Sequence, residues 1–121
     1  MKQFWIESYN NINVIQEQAS VISMCDVLEH IPYPIDLLLS AHQTLLDNWI
    51  LFISLPNIES QVWNMWDRNN VNPYRWEIEH YHNFSRTRLY ELLDQCGFKP
   101  IKYWISERYR WCMEIIAKKK I

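Results

Sequence analysis

The sequence predicts an α/β domain organised around one strand–helix–strand unit with parallel strands. Three observations predict it. A short β-branched run, Val21–Cys25, stops at Asp26 and is followed by Glu29 and His30, after which Pro32 and Pro34 force the chain to turn. Helix-spaced positions then recur at Ile35, Leu38, Leu39, His42, Leu45 and Leu46. A second apolar run, Ile50–Leu55, completes strand, helix and strand within 35 residues, the span of a βαβ unit with a right-handed crossover.

The first strand matters most because of how it ends. In open α/β sheets, ligands bind in the crevice beyond the strands' carboxyl ends, and here that end carries two acids and an imidazole. The second run is nearly continuous in apolar residues, as expected of a central strand covered on both faces. Pro56-Asn57 leaves it on the same side as Asp26.

Upstream, residues 1–20 form a poorly defined segment. Phe4-Trp5-Ile6 reads as a short strand and Ile12–Gln18 as a poor helix, both interrupted by Asn10-Asn11. Downstream, Ile58–Asn83 is rich in Trp and Asn and weakly periodic, which reads as a lid or substrate-side insertion. Ser85 is a good N-cap for a helix over Arg86–Cys96 with Leu89, Leu92, Leu93 and Cys96 on one face. Gly97 supplies the left-handed C-cap, and Phe98 packs back. Ile101, Tyr103 and Ile105 alternate as a strand, and Trp111–Ala117 forms its antiparallel partner across the turn Ser106–Arg110.

Composition limits the function. The 121 residues suit one domain with one core. Twelve basic against fourteen acidic residues, a net charge of −2, give no field for nucleic acid. Three cysteines without C-x-x-C spacing, two of them inside apolar segments, read as free buried thiols in a reducing compartment. No signal peptide or membrane span is visible, so the expected address is the cytoplasm and no membrane partner is expected. The chain has 1 glycine, Gly97, where roughly eight would be usual. A glycine-rich phosphate or cofactor loop is therefore absent from it.

Four stretches taken together carry a resemblance: S-M-C-D-V-L-E-H-I-P-Y-P, the second strand ending in S-L-P-N, E-H-Y-H-N-F-S-R-T-R-L-Y-E-L-L-D-Q-C-G-F, and S-E-R-Y-R-W-C-M-E-I-I-A. From about Val21 to Lys118 the sequence resembles the C-terminal part of class I S-adenosylmethionine-dependent methyltransferases. The resemblance implies residues 21–121 as the C-terminal portion of a methyltransferase domain. Its partial Rossmann-like sheet would hold strands similar to the family's fourth, fifth, seventh and sixth, in that order, the last in sequence antiparallel. It implies methyl transfer from S-adenosylmethionine to a small-molecule or carbohydrate-type acceptor, with Cys25, Asp26 and Val27 on the cofactor side of the pocket. The family's glycine-rich loop after its first strand and acid after its second have no counterpart here. Its usual Gly-Gly turn into the fifth strand is replaced by Asp47-Asn48-Trp49. A truncated, inactive half-domain serving as an interaction module is the alternative. Without the family's first strand beside it, the Val21–Cys25 edge would be unpaired and covered by the Met1–Ser20 segment, by self-association or by another chain.

Asp26, Glu29 and His30 have the spacing that one turn of chain brings onto one face. Some family members use a similar E-x-x-E-H, with a later histidine in an H-x-F context, to hold Mg²⁺ or Mn²⁺. By that resemblance Asp26, Glu29, His30 and His82 form a metal set; the bland alternative is a turn closed by hydrogen bonds. His30 alternatively serves as the catalytic general base. His80, Arg108 and Arg110 are the substrate-side candidates, the arginines as a clamp for an anionic group or simply as a solvated turn. The Trp63–Trp76 aromatics either stack on a ring substrate or plug the crevice as satellite core. His42 reads as a half-buried histidine of its helix, and Cys25 as packing and not as a nucleophile.

Overall fold

The computed structural model describes residues 7–120; the expected strand at Phe4-Trp5-Ile6 lies outside them. The elements are β1 (Ala19–Cys25), α1 (Pro34–Thr44), β2 (Leu45–Pro56), α2 (Gln61–Arg68), α3 (Arg86–Gln95), β3 (Phe98–Ile105) and β4 (Cys112–Lys119). They build one four-stranded sheet in the order β1-β2-β4-β3. β1 and β2 are parallel, and β4 runs antiparallel to both of its neighbours. The order and the reversed last strand are those expected.

Cross-strand register sorts the sheet into two unlike faces. Met24, Ile53, Ile115 and Tyr103 lie in one row, flanked by Leu51 with Ala117 and by Leu55 with Met113. Met24 and the β2 and β4 members of this face are buried, and Leu38 and Ala41 of α1 and Leu89 and Leu93 of α3 join them in one core. Both helices therefore cover the same face. Phe52, Ile116 and Trp104 belong to the other face and are only half-buried, with the Phe52 and Trp104 rings 6.3 Å apart. Among the described residues no helix contributes to a core there. The expectation that β2 is covered on both faces is thus corrected: its burial alternates residue by residue from Leu51 to Leu55. The expectation of buried thiols holds for Cys96 and Cys112 but is corrected for Cys25, which falls on the open face and is exposed.

Several boundaries moved for local reasons. α1 stops at Thr44, and Leu45 already belongs to β2. Its buried stripe is Pro34, Leu38 and Ala41, while Ile35 and Leu39 are exposed. Asn48, in the turn into the regular part of β2, sits at φ 65°, in the left-handed region. Asn is among the few side chains that accept it at modest cost. The irregularity between Ala19 and Val21 in the β1–β2 pairing absorbs this turn. Instead of a helix over Ile12–Gln18 there is one 3-10 turn, Ile12–Val14, whose Asn11 side chain accepts a hydrogen bond from the Asn13 N–H.

The C-terminal half follows the sequence closely. Ser85 caps α3, its Oγ accepting from the Arg88 N–H at 3.1 Å. Gly97 lies at φ 82°, and a Cβ there would come within 2.9 Å of His42 Nε2. Glycine is needed on both counts. His42 itself is half-buried, its ring edge-on to Phe98 at 5.2 Å. The alternation of Ile101, Tyr103 and Ile105 marked a strand correctly, but Ile101 and Ile105 are exposed on this edge strand.

Candidate functional site

β1 ends where the crevice begins. The Asp26 N–H still donates to the Ser54 carbonyl of β2 at 2.9 Å, and Asp26 then adopts φ 53°. That left-handed residue breaks the strand and turns the chain into the 3-10 segment Leu28–His30. Leu28 enters the core fully buried, and its neighbour Glu29 is buried with it at 2% exposure. Here the sequence pattern L-E-H has a direct structural consequence: anchoring Leu28 carries an acid under the surface and leaves His30 at the rim.

The environment of Glu29 is unusual. No hydrogen-bond partner reaches its Oε2. Burial pushes its carboxyl up to about 7, opposed by a backbone hydrogen bond and reinforced by the neighbouring Asp26 carboxylate. His30 Nε2 stands 3.9 Å from Glu29 Oε1. The other nitrogen of His30, Nδ1, is 3.0 Å from the Glu79 carbonyl. A carbonyl only accepts, so Nδ1 carries the proton and Nε2 presents its lone pair. His80 lies edge-on to His30 at 4.5 Å and stacks on Tyr74 at 5.3 Å. Burial, and then His30, hold the His80 imidazole below its usual range.

An aromatic wall faces these groups. Trp63 stacks on Tyr74 at 5.7 Å, and Trp66 lies 5.2 Å from Trp111. The Trp111 indole N–H donates to the Tyr74 hydroxyl at 3.0 Å. Asn72 holds Tyr74 in place by accepting its N–H at 3.0 Å. The helix α2 was missed from sequence because its length is only 8 residues; Ser60, which accepts from the Trp63 N–H at 3.1 Å, was the available signal. These rings pack mainly on each other, as satellite core, and leave Tyr74, Tyr109 and Trp111 to line a cavity of about 350 Å³ with Asp26, Glu29, His30 and His80. A separate groove of about 470 Å³ lies between Pro32–Asp36 and α3 and is lined by Asp36, His82, Arg88 and Glu91.

The structure divides the expected site residues. It brings Glu29, His30 and His80 together, with one donor atom from each within 4.8 Å of the others. His82 does not join them. Its Nε2 donates to the Pro32 carbonyl at 3.1 Å, and its Nδ1 accepts from Arg88 at 3.1 Å. With both nitrogens engaged it has no lone pair to offer, so the expected set of Asp26, Glu29, His30 and His82 does not assemble. Asp26 lines the cavity beside the group without entering it. Arg108 and Arg110 are exposed and line no part of the cavity; Tyr109 and Trp111, their chain neighbours, do. Val27 is half-buried against the core, and Cys25 points to the open sheet face, where its Sγ is 3.5 Å from Ser23 Oγ.

A sheet in this order, with a crevice at the carboxyl ends of its parallel strands, defines the class: a Rossmann-like methyltransferase fold. The chain belongs to the methyltransferase-domain family, whose pattern matches residues 3–103. No curated protein matches it. Among solved structures it is similar to magnesium protoporphyrin IX methyltransferase from Synechocystis PCC 6803, with TM-score 0.65 and 11% identity, covering 92% of this chain and 49% of that one. It is also similar to a possible histamine N-methyltransferase from Thermotoga maritima, with TM-score 0.65 and 14% identity over 92% and 62%. A third is mitomycin 7-O-methyltransferase, with TM-score 0.69 and 11% identity over 89% and 32%. The chain thus spans between about a third and three fifths of these structures' lengths.

The family implies S-adenosylmethionine. The residues present fit only one side of such a ligand. Asp26 and Val27 stand at the β1 end, but close backbone approach to the ligand needs glycine. The single glycine is held at the end of α3 against His42. Among the described residues no helix is long and apolar enough to cross a membrane.

Proposed function

We propose that this chain is the acceptor-side portion of a methyltransferase domain that, in complete form, methylates an oxygen or nitrogen of a small-molecule or carbohydrate-type acceptor. The observation that carries this reading is the cavity at the β1 and β2 carboxyl ends, where a buried acid, an oriented imidazole and an aromatic wall converge. His30 is the base in this scheme. Its Nε2 lone pair is exposed to the cavity side by the Glu79 hydrogen bond, so an acceptor proton has a defined destination. Tyr74 and Trp111 offer flat apolar surface and a phenol hydroxyl for a ring-bearing acceptor.

S-adenosylmethionine, when held by a complete domain, supplies the electrophilic methyl group. The chain of 121 residues alone, lacking a glycine-rich loop, is expected to bind that ligand poorly. Isothermal calorimetry with S-adenosylhomocysteine is expected to give no micromolar binding. A micromolar dissociation constant for the isolated chain would overturn the acceptor-side assignment.

One observation favours a second reading, an interaction module. β1 is an edge strand, with no partner on its outer side among the described residues, and Val21 on it is exposed. An apolar parallel-sheet edge is a template for pairing with a second copy. Light scattering over rising concentration is expected to show a dimer that Val21→Lys returns to monomer. A clean monomer throughout would dismiss self-pairing.

A further inference from the structure

The geometry points to a transition-metal site built by Glu29, His30 and His80, for a borderline divalent ion of the zinc class and not for Mg²⁺. Three facts carry it. The Glu29 side chain is 3% exposed, yet its Oε2 has no partner. A buried carboxylate oxygen without a hydrogen bond is costly unless a cation or proton satisfies it. Two imidazoles converge on the same carboxylate, one donor atom per residue, all within 4.8 Å. The His30 tautomer is already the ligating one, because Nδ1–H donates to the Glu79 carbonyl and leaves Nε2 free. Such an outer hydrogen bond is what orients metal-bound imidazoles.

Distances and chemistry select the ion. Zinc–ligand bonds of about 2 Å set donor–donor separations of roughly 3 to 4 Å. The 3.9 Å between His30 Nε2 and Glu29 Oε1 falls inside that range, and a donor atom of His80 lies within 4.8 Å of one from each of them. Two nitrogens and one oxygen suit zinc or cobalt, whereas Mg²⁺ prefers an all-oxygen octahedron. Positions not taken by the three side chains open onto the cavity lined by Tyr74 and Trp111. The site would therefore hold a metal with room for a further oxygen or nitrogen ligand.

This inference does not rest on the methyl-donor reading and replaces the base role of His30: an ion held on Nε2 occupies the lone pair that would otherwise take the acceptor proton. Calorimetric titration of the full chain with ZnCl₂ in the Cys25→Ser background, which removes the exposed thiol, is expected to show one ion per chain. Glu29→Gln and His80→Ala should each weaken binding at least tenfold, whereas His82→Ala should leave it unchanged. MgCl₂ should give no saturable heat. Titration with CoCl₂ should produce a visible absorption band that Glu29→Gln abolishes. Zinc binding that is absent, or that survives both Glu29→Gln and His80→Ala, would overturn the site. Folding of each variant is checked by its urea melt, and Glu29→Gln, equal in size to the native side chain, guards against loss through misfolding.

Discussion

Glu29→Gln is expected to stabilise the protein at pH 8 by up to about 3 kcal/mol, in buffer containing a chelator. The carboxyl lies at about 7 in the folded chain against 4.5 when unperturbed. Below 4.5 both states hold the proton, and Glu29 takes nothing from stability. Between 4.5 and 7 the unfolded chain releases its proton while the folded chain keeps it, so stability falls as pH rises. Above 7 the full cost of a buried, unpartnered carboxylate is present, about 3 kcal/mol at 1.36 kcal/mol per pH unit. Asp26, His30 and His80 face the same group and remain in both proteins. The advantage of glutamine should shrink to less than about 1 kcal/mol at pH 5. Urea melts of both proteins between pH 5 and 8 test this, and stability curves that run parallel across that range would refute it.

The two faces of β2 should respond differently to truncation. Ile53 is 1% exposed on the face that α1 and α3 cover. Ile53→Ala removes buried methyl groups and leaves a cavity in the core, a loss of about 3 kcal/mol. Phe52, its neighbour, lies on the face outside the core, its ring centroid 6.3 Å from that of Trp104. Phe52→Ala should cost less, about 2 kcal/mol, although more atoms are removed, because the ring keeps part of its surface exposed and no helix covers it. Equal losses in denaturant melts would mean that the second face is as well covered as the first.

The same contrast explains what could be read from the residues. Strands and helices announced themselves through local pattern: Val21–Cys25 by β-branching, the α3 region by Ser85 and Gly97 at its two ends, β4 by its apolar run. Sheet order came with the family resemblance. What local pattern does not encode is which face a helix covers. Ile50–Leu55 is apolar at nearly every position, and nothing in that string says that Leu51, Ile53 and Leu55 are enclosed while Phe52 is not. The site divided along the same line. Glu29 and His30 were legible from the spacing after Asp26, but His80 and His82 differ by two residues in a loop without periodicity. Only three-dimensional hydrogen bonding to Pro32 and Arg88 removes His82 and leaves His80 for the crevice.

The position of β4 between β2 and β3 has a consequence for biosynthesis. β4 is made after β1, β2 and β3, and it pairs with β2 from Ile50 to Pro56. A ribosome that has already released β1, α1 and β2 has produced a parallel pair with a raw interior margin, apolar and rich in unmet amides. That margin stays raw until Cys112–Lys119 has left the exit tunnel. Closure of the sheet must therefore wait for the synthesis of Cys112–Lys119, and until then the parallel pair is exposed to off-pathway association. A stop codon before Cys112 would yield an aggregating stub in place of a smaller working domain.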